Sequence, residues 1–176
     1  MKSILVIMLL ACWNPVFSSS ALVLFEKGEF AKAIPEFEAE LKGHPEDFEI
    51  YNYLGACYYN LENSVEAEDC YRNALRVKPD YCYALINLSI LYVDQENHQK
   101  LWQIAEKLIQ YYPDRFYGYL AQAYCFYKQE KWEMAKLRID LAYRKIGKSD
   151  PVLGKREHDY LYLLLLDLRK KITSHT

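Results

Sequence analysis

The sequence predicts an all-α protein, a solenoid of helix-turn-helix repeats closed by a C-terminal capping helix. Three observations support this fold class. Apolar residues recur at i, i+3, i+4 and i+7 through most of the chain, which is the spacing of amphipathic helices. Residues 14–149 repeat with a period of 34 residues. Strand-type alternation of apolar and polar residues does not occur.

The second repeat, residues 48–81, carries the clearest pattern. It places the following residues at repeat positions 4, 7, 8, 11, 20, 24, 27 and 32: Tyr51, Leu54, Gly55, Tyr58, Ala67, Tyr71, Ala74 and Pro79. The pattern resembles that of the tetratricopeptide repeat (TPR) family, in which helix pairs stack into a right-handed superhelix. The resemblance implies four repeats: 14–47, 48–81, 82–115 and 116–149. The third is weaker, because Leu101 replaces the small residue at position 20.

Helix ends are marked by turn residues and prolines. The first repeat is expected to start with Asn14 as N-cap and Pro15 at the first helical position, with Phe17, Ala21 and Leu24 facing inward. Candidate N-caps of the next three first helices are Asp47, Asp80 and Asp114. Asn63 followed by Glu66 has the spacing of a capping box. The small residues Ala21, Gly55, Ser89 and Ala123 are expected to let paired helices approach closely.

Residues 150–176 depart from the period and predict a capping helix and tail. Asp150-Pro151 has the form of an N-cap followed by proline, and an apolar run covers residues 160–168. Because this run is apolar nearly all round, the helix is expected to be buried on more than one side. It either packs partly under the last repeat or presents one face to a partner or to a second copy in a homodimer.

Composition excludes several function classes. The formal net charge is −2, and the longest basic block is Arg169-Lys170-Lys171, so no nucleic-acid partner is expected. The four histidines are scattered and the five cysteines form no C-x-x-C pair, so neither a metal site nor a cofactor is predicted. No phosphate loop, H-E-x-x-H or G-x-S-x-G motif is present, and no enzymatic activity is expected.

The thiols Cys57, Cys70, Cys82 and Cys125 allow two interpretations. Free cysteines are often small buried apolar residues. Disulfide pairing would require an exported protein, and residue spacing alone does not select a pair.

The TPR resemblance implies a concave groove lined by the first helices of the repeats. Carried over to this sequence, the groove residues are Asn52, Tyr59, Tyr83, Ile86, Asn87, Ile90, Tyr117, Leu120, Tyr124 and Tyr127. A contiguous apolar and aromatic surface of this kind is typical of an interaction site, here for a protein or peptide partner. The alternative is that these side chains fill the inside of the superhelix under the C-terminal helix.

Some TPR domains grip a C-terminal carboxylate with paired cationic and asparagine side chains. Asn52 and Asn87 lie near such positions, but no lysine or arginine accompanies them in the groove. Because a carboxylate needs cationic donors, recognition of that type is not expected.

The N-terminal run, residues 1–11, predicts a signal peptide, with Lys2 before an apolar segment too short to span a membrane. Leu9-Leu10-Ala11-Cys12 resembles a bacterial lipobox, in which cleavage precedes the cysteine and the thiol is lipidated. Cleavage near Ser18-Ser19-Ser20 is the alternative, and an uncleaved cytoplasmic chain a third. Cutting before Cys12 is favoured because it leaves a first helix starting at Asn14 intact.

Together these features predict an exported TPR scaffold, lipid-anchored at Cys12 in the bacterial periplasm or outer membrane. It would bind a segment of another envelope protein and so assist assembly of an envelope complex. The alternative is a soluble TPR adaptor that self-associates through residues 160–168.

Overall fold

The computed structural model describes residues 19–146 and 155–174, and only the backbone for residues 155–160. Within these ranges the chain is all-α. The helices are α1 (Ser20–Glu26), α2 (Phe30–Gly43), α3 (Phe48–Asn60), α4 (Ser64–Val77), α5 (Cys82–Asp94), α6 (His98–Tyr111), α7 (Tyr117–Lys128), α8 (Trp132–Arg144) and α9 (Lys155–Thr173). Eight of them form consecutive pairs, and α9 follows alone.

The second helices of the four pairs begin at Phe30, Ser64, His98 and Trp132, so each start lies 34 residues after the last. The turns before them share one backbone geometry. At Gly28, Glu62, Glu96 and Glu130 the φ angle is positive, between 53° and 76°. These four positions are also 34 residues apart, so the period extends to single dihedral angles.

Two hydrogen bonds explain each left-handed residue. In the second turn, the Asn63 amide donates to the Tyr58 carbonyl at 2.9 Å and the Glu62 amide to the Tyr59 carbonyl at 3.0 Å. This is the Schellman arrangement, which satisfies carbonyls left free at a helix C-terminus. Glutamate in this region costs about 1 to 2 kcal/mol relative to glycine, so three of the four turns hold a strained residue.

The described helices belong to two compact units, one ending at Asn87 and the other starting at Leu88, within α5. In the N-terminal unit, α1, α2, α3 and α4 pack each against the next. An aromatic cluster joins the first three: Phe25 packs edge-on against Tyr53 at 5.3 Å between ring centroids, and Phe37 stacks on Tyr53 at 5.4 Å. Such pairs stabilise a core beyond their buried area.

Gly55 sets the distance between α3 and α4. A Cβ atom at Gly55 would lie 2.6 Å from Cε1 of Tyr71, whose side chain is 1 % exposed. The absence of a side chain at Gly55 therefore lets the Tyr71 ring lie directly against the α3 backbone. This agrees with the close approach expected from the sequence at this position.

In the C-terminal unit, α7 packs against α6 and α8, and α9 packs against α8 and α7. Gly118 at the start of α7 is in tight contact with α6, since its Cβ would lie 2.6 Å from Ile109 Cγ1 and 2.7 Å from the Ala105 carbonyl oxygen. Helix α9 buries one stripe at spacing i, i+4, i+7 and i+11: Leu161, Leu165, Leu168 and Ile172.

The outer face of α9 differs from the prediction. Leu163 is 63 % exposed and Leu164 is 42 % exposed, so this helix is not buried on more than one side. The reason is that α9 has no helix following it to cover the face opposite its buried stripe. The predicted cap at Asp150-Pro151 lies outside the described residues.

The predicted start of the first helix is wrong. Ser19 has extended backbone, with ψ at 152°, and its side chain accepts a hydrogen bond from the Leu22 amide at 3.2 Å. A helix running from Asn14 to Leu24 would require helical backbone at Ser19. The first described helix therefore begins at Ser20 with Ser19 as its N-cap. Asn14, Pro15 and Phe17 lie outside the described residues.

The predicted N-caps had mixed outcomes. Asp47 caps α3, since its carboxylate accepts from the amides of Glu49 at 2.9 Å and Ile50 at 3.1 Å. Asp80 and Asp114 are not N-caps. Helix α5 begins two residues after Asp80, while α7 has Phe116 as its cap and Asp114 pairs with Lys145 at 3.6 Å. The error is one of register, because these two aspartates align with Glu46.

Asn63 is the N-cap of α4, as the sequence indicates, but its side chain makes no capping hydrogen bond. At the equivalent position of α6, the Asn97 side chain accepts from the Lys100 amide at 3.1 Å. The capping box predicted at Asn63 and Glu66 is therefore not formed.

Candidate functional site

The N-terminal unit holds half of the predicted groove residues, and most of them are buried. Tyr59 on α3 is half-buried. The others are less than one tenth exposed: Asn52, Tyr83, Ile86 and Asn87. These four pack within the unit, so a partner would reach them only after a rearrangement.

Asn52 and Asn87 form a buried polar pair between α3 and α5. The Asn87 amide donates to Asn52 Oδ1 at 3.0 Å. Asn52 is fully buried, and its Nδ2 has no hydrogen-bond partner among the described residues. An unpaired buried donor is costly, so this pair fixes the register of the two helices at the expense of stability.

The C-terminal unit holds the other half of the predicted groove residues. Tyr117 and Leu120 are buried, and Ile90, Tyr124 and Tyr127 are half-buried. The exposed part of this set therefore lies toward the C-terminal end of α7. The binding role of all ten residues stays a prediction, but burial concentrates the accessible area on Tyr124 and Tyr127.

We use the name tyrosine face for Tyr124, Tyr127 and Lys128 of α7 together with Lys171 of α9. The Tyr124 ring lies 6.3 Å from the His98 ring, and Tyr127 packs edge-on against Trp132 at 5.7 Å. These contacts hold the two rings in place. Neither tyrosine hydroxyl has a hydrogen-bond partner within the part of the chain that the structure describes.

Two ammonium groups flank these hydroxyls. The pKa of Lys128 is raised by its hydrogen bond to Glu96, at 3.2 Å, and further by nearby Tyr124. The pKa of Lys171 is raised first by its contact with Asp167, at 2.6 Å, and also by Tyr127 and Tyr124. Both lysines therefore stay charged at neutral pH beside the tyrosines.

Burial raises the pKa of Tyr124, with Glu96 and Asp94 adding to this shift and Lys128 opposing it. The phenol is therefore protonated at neutral pH and available to donate a hydrogen bond. The face offers two phenol donors, two aromatic surfaces and mixed charge, a combination suited to polypeptide recognition. Sequence reasoning missed Lys171, because nothing in the repeat pattern indicates which face α9 covers.

The four predicted thiols Cys57, Cys70, Cys82 and Cys125 are free. Cys57, Cys82 and Cys125 are buried and Cys70 is half-buried. Desolvation raises the pKa of both Cys57 and Cys70 to about 12, so neither ionises at neutral pH. Since the thiolate is the reactive form, these are structural cysteines here.

The predicted lipidation site Cys12 and the signal segment 1–11 lie outside the described residues. Among the residues the structure describes, no helix has both the length and the apolar character needed to cross a bilayer. The same residues contain no cluster of three or more histidine, cysteine, aspartate or glutamate side chains that would hold a metal ion.

Comparison with known families agrees with the helical hairpins. The profile described as tetratricopeptide repeat matches residues 48–81. The chain is 30 % identical over 158 residues, 86 % of its length, to human protein O-mannosyl-transferase TMTC3, of which it covers 17 %. It is 38 % identical over 69 residues to the peroxisomal targeting signal receptor of Saccharomyces cerevisiae, covering 39 % of this chain and 11 % of the receptor. The chain thus spans less than a fifth of either relative.

Solved structures share the fold. A tetratricopeptide repeat protein from Parabacteroides merdae superposes with a TM-score of 0.70 at 15 % identity, over 88 % of this chain and 56 % of that one. MamA from Desulfovibrio magneticus superposes with a TM-score of 0.65, also at 15 % identity, over 88 % and 86 % of the two chains. At this identity the likeness concerns the fold alone.

Proposed function

Because this chain belongs to the tetratricopeptide repeat family, we propose that it is a non-enzymatic scaffold that binds a peptide or a helix of a partner protein. The surface used is the tyrosine face, with Tyr59 and Ile90 as further contacts. One relative is by name a receptor for a targeting signal, which favours recognition of a short segment over catalysis.

One observation carries this proposal. Tyr124 and Tyr127 keep half-exposed rings and hydroxyls without partners in the described residues, while Tyr117 and Leu120 on the same helix are buried. A phenol that is held in place but unpaired gives up little conformational entropy when a partner binds. A carbonyl group on the partner would accept from each hydroxyl, and its apolar side chains would cover the rings.

The experiment is a peptide selection against the full chain from a random library, followed by fluorescence anisotropy titration of the selected peptides. Replacing Tyr124 and Tyr127 together by alanine is expected to weaken binding by about tenfold or more, as for an aromatic anchor. The control is Tyr111→Ala, which removes another tyrosine, 38 % exposed, from α6. Equal affinity of wild type and the double variant for every selected peptide would refute the proposal.

The proposal also includes export and a lipid anchor at Cys12, which would place the scaffold at the bacterial periplasmic or outer-membrane surface. Its support is the lipobox-like sequence before Cys12. The first helix begins after Ser19, so cleavage after Ser18 would also leave it intact, and the fold favours neither cut. Labelled palmitate incorporated by wild type but not by Cys12→Ala would support lipidation, and no incorporation by wild type would exclude it.

The finer role, assisting assembly of an envelope complex, depends on this export and on the partner being an envelope protein. The alternative is a soluble cytoplasmic adaptor that self-associates through α9. The observation favouring self-association is the exposure of Leu163 and Leu164. Membrane fractionation of native cells separates the two, because only the anchored form sediments with membranes.

A further inference from the structure

Charge is divided unequally along the chain. Residues 19–87 carry 6 lysines and arginines against 13 aspartates and glutamates, a formal net charge of −7. Residues 88–176 carry 15 against 11, a formal net charge of +4. The overall value of −2 hides this asymmetry. Two copies of the chain therefore attract each other when the N-terminal unit of one meets the C-terminal unit of the other, and repel when like units meet.

The C-terminal unit presents an uncovered face on α9. Leu163 and Leu164 are exposed on the outer side of the helix. Lys170 lies two turns further along the same stripe as Leu163, is exposed, and forms no ion pair within the described residues. The face is therefore apolar at one end and positively charged at the other.

The N-terminal unit presents a surface of matching character, which we call the acidic patch: Glu38 on α2 with Val65, Glu66 and Asp69 on α4. Val65 is 71 % exposed. None of the three carboxylates is in an ion pair with a described residue, and the only hydrogen bond made by Glu38 is the one it accepts from Tyr58 at 3.2 Å. The three lie around Cys70, whose thiol all of them influence electrostatically.

The two surfaces also match in spacing. Val65 and Asp69 lie about 6 Å apart along α4, at 1.5 Å per residue. Leu163 and Lys170 lie about 10 Å apart along α9, but a helical lysine side chain leans toward the helix N-terminus, which brings its ammonium back toward Leu163. With α9 parallel to α4, leucine therefore meets valine where lysine meets aspartate.

We propose that copies of this chain associate head to tail, with the outer face of α9 of one copy packed on the acidic patch of the next. The contact is heterologous, so each copy keeps one free α9 and one free patch, and chains longer than dimers form as concentration rises. This differs from a symmetric dimer through residues 160–168, which would place the two basic ends of α9 in one interface. It does not depend on the tyrosine face, so peptide binding and assembly succeed or fail separately.

Sedimentation velocity on the full chain tests the proposal with charge-reversal variants. The tail variant is Lys170→Glu, and the head variant combines Glu66→Lys with Asp69→Lys. Each alone is expected to weaken self-association by about tenfold or more, and an equimolar mixture is expected to restore it, because each altered surface then meets an opposite charge. Raising the salt from about 50 to about 300 mM is expected to weaken wild-type association several-fold.

Matched controls carry the same charge changes elsewhere. Lys107→Glu on α6 and the pair Glu26→Lys with Glu46→Lys change exposed residues outside both surfaces and are expected to associate as wild type does. Thermal melting checks that every variant folds. A wild-type chain that stays monomeric at all concentrations would overturn the proposal. So would loss of association in the tail variant with no effect of the head variant, which indicates a symmetric contact between α9 helices.

Discussion

The contact between Gly55 and Tyr71 makes a sharp prediction about packing. Replacing Gly55 by alanine adds a Cβ atom 2.6 Å from Cε1 and 2.7 Å from Cδ1 of Tyr71. These distances are about 1 Å shorter than an ordinary carbon–carbon contact. The ring cannot rotate outward to solvent, because Tyr71 is buried at 1 % exposure. Helices α3 and α4 must therefore move apart.

The expected magnitude is the balance of two effects. Alanine is favoured over glycine inside a helix by about 1 kcal/mol. Overpacking a closed core costs about 1 to 3 kcal/mol, and two separated helices lose further contacts. We expect a net destabilisation of about 1 to 2 kcal/mol, which lowers the melting temperature of a chain of this size by about 2 to 8 °C.

Two further glycines calibrate the measurement. Gly43 at the end of α2 has open space where a Cβ would lie, so Gly43→Ala is expected to be neutral or stabilising. Gly118→Ala meets the Ala105 backbone carbonyl as well as Ile109, so it is expected to cost at least as much as Gly55→Ala. Urea unfolding followed by circular dichroism measures all three. If Gly55→Ala stabilised the protein as much as Gly43→Ala, the packing argument would be refuted.

Three other outcomes follow from the structure. Glu130→Gly removes a left-handed glutamate, with φ at 57°, and is expected to stabilise the protein by about 0.5 to 1 kcal/mol in urea unfolding, since glycine lacks the steric penalty. Leu165→Ala in the buried stripe of α9 is expected to cost about 2 to 4 kcal/mol, whereas Leu163→Ala on the exposed face changes stability little; equal costs would contradict the orientation of α9. Burial raises the pKa of Cys57 to about 12 from an ordinary value near 9, so the unfolded thiol ionises first and stability is expected to fall as pH rises from about 9 toward 12. Cys57→Ala is expected to reduce that slope in urea unfolding at pH 9 to 11, and an unchanged slope would argue against it.

Local periodicity made most of the fold predictable from sequence. The turn residues and prolines mark helix ends because they act on their immediate neighbours, and the fixed spacing of starts at Phe30, Ser64, His98 and Trp132 reflects that. The left-handed glutamates were not predictable in the same way. Glutamate has no preference for positive φ, so its backbone conformation is imposed by the helix pair on either side of the turn.

The errors concern details that the repeat pattern does not determine. Asp114 was predicted as a cap from residue type alone, but α7 begins one residue later in its repeat than α3 does, and the carboxylate pairs with Lys145 instead. The first helix was extrapolated back to Asn14 from the period, whereas the Ser19 side chain stops it locally.

The candidate site was predictable in residue type and less so in accessibility. A pattern places Tyr117 and Tyr124 on the first helix of one repeat, but only packing decides that the former is 4 % exposed and the latter half-buried. The contribution of Lys171 depends on how α9 docks, which lies outside the 34-residue period. Tertiary packing therefore reduces a ten-residue groove prediction to a smaller surface.

The most direct test of the scaffold proposal is an NMR titration of the isotope-labelled chain with a peptide obtained by the selection described above. The proposal predicts that amide shifts concentrate on Tyr124, Tyr127 and Lys128 and on α9 around Lys171, while Tyr111 on α6 is unmoved. Shifts confined to α6 and the outer side of α8, with the tyrosine face unchanged, would contradict it.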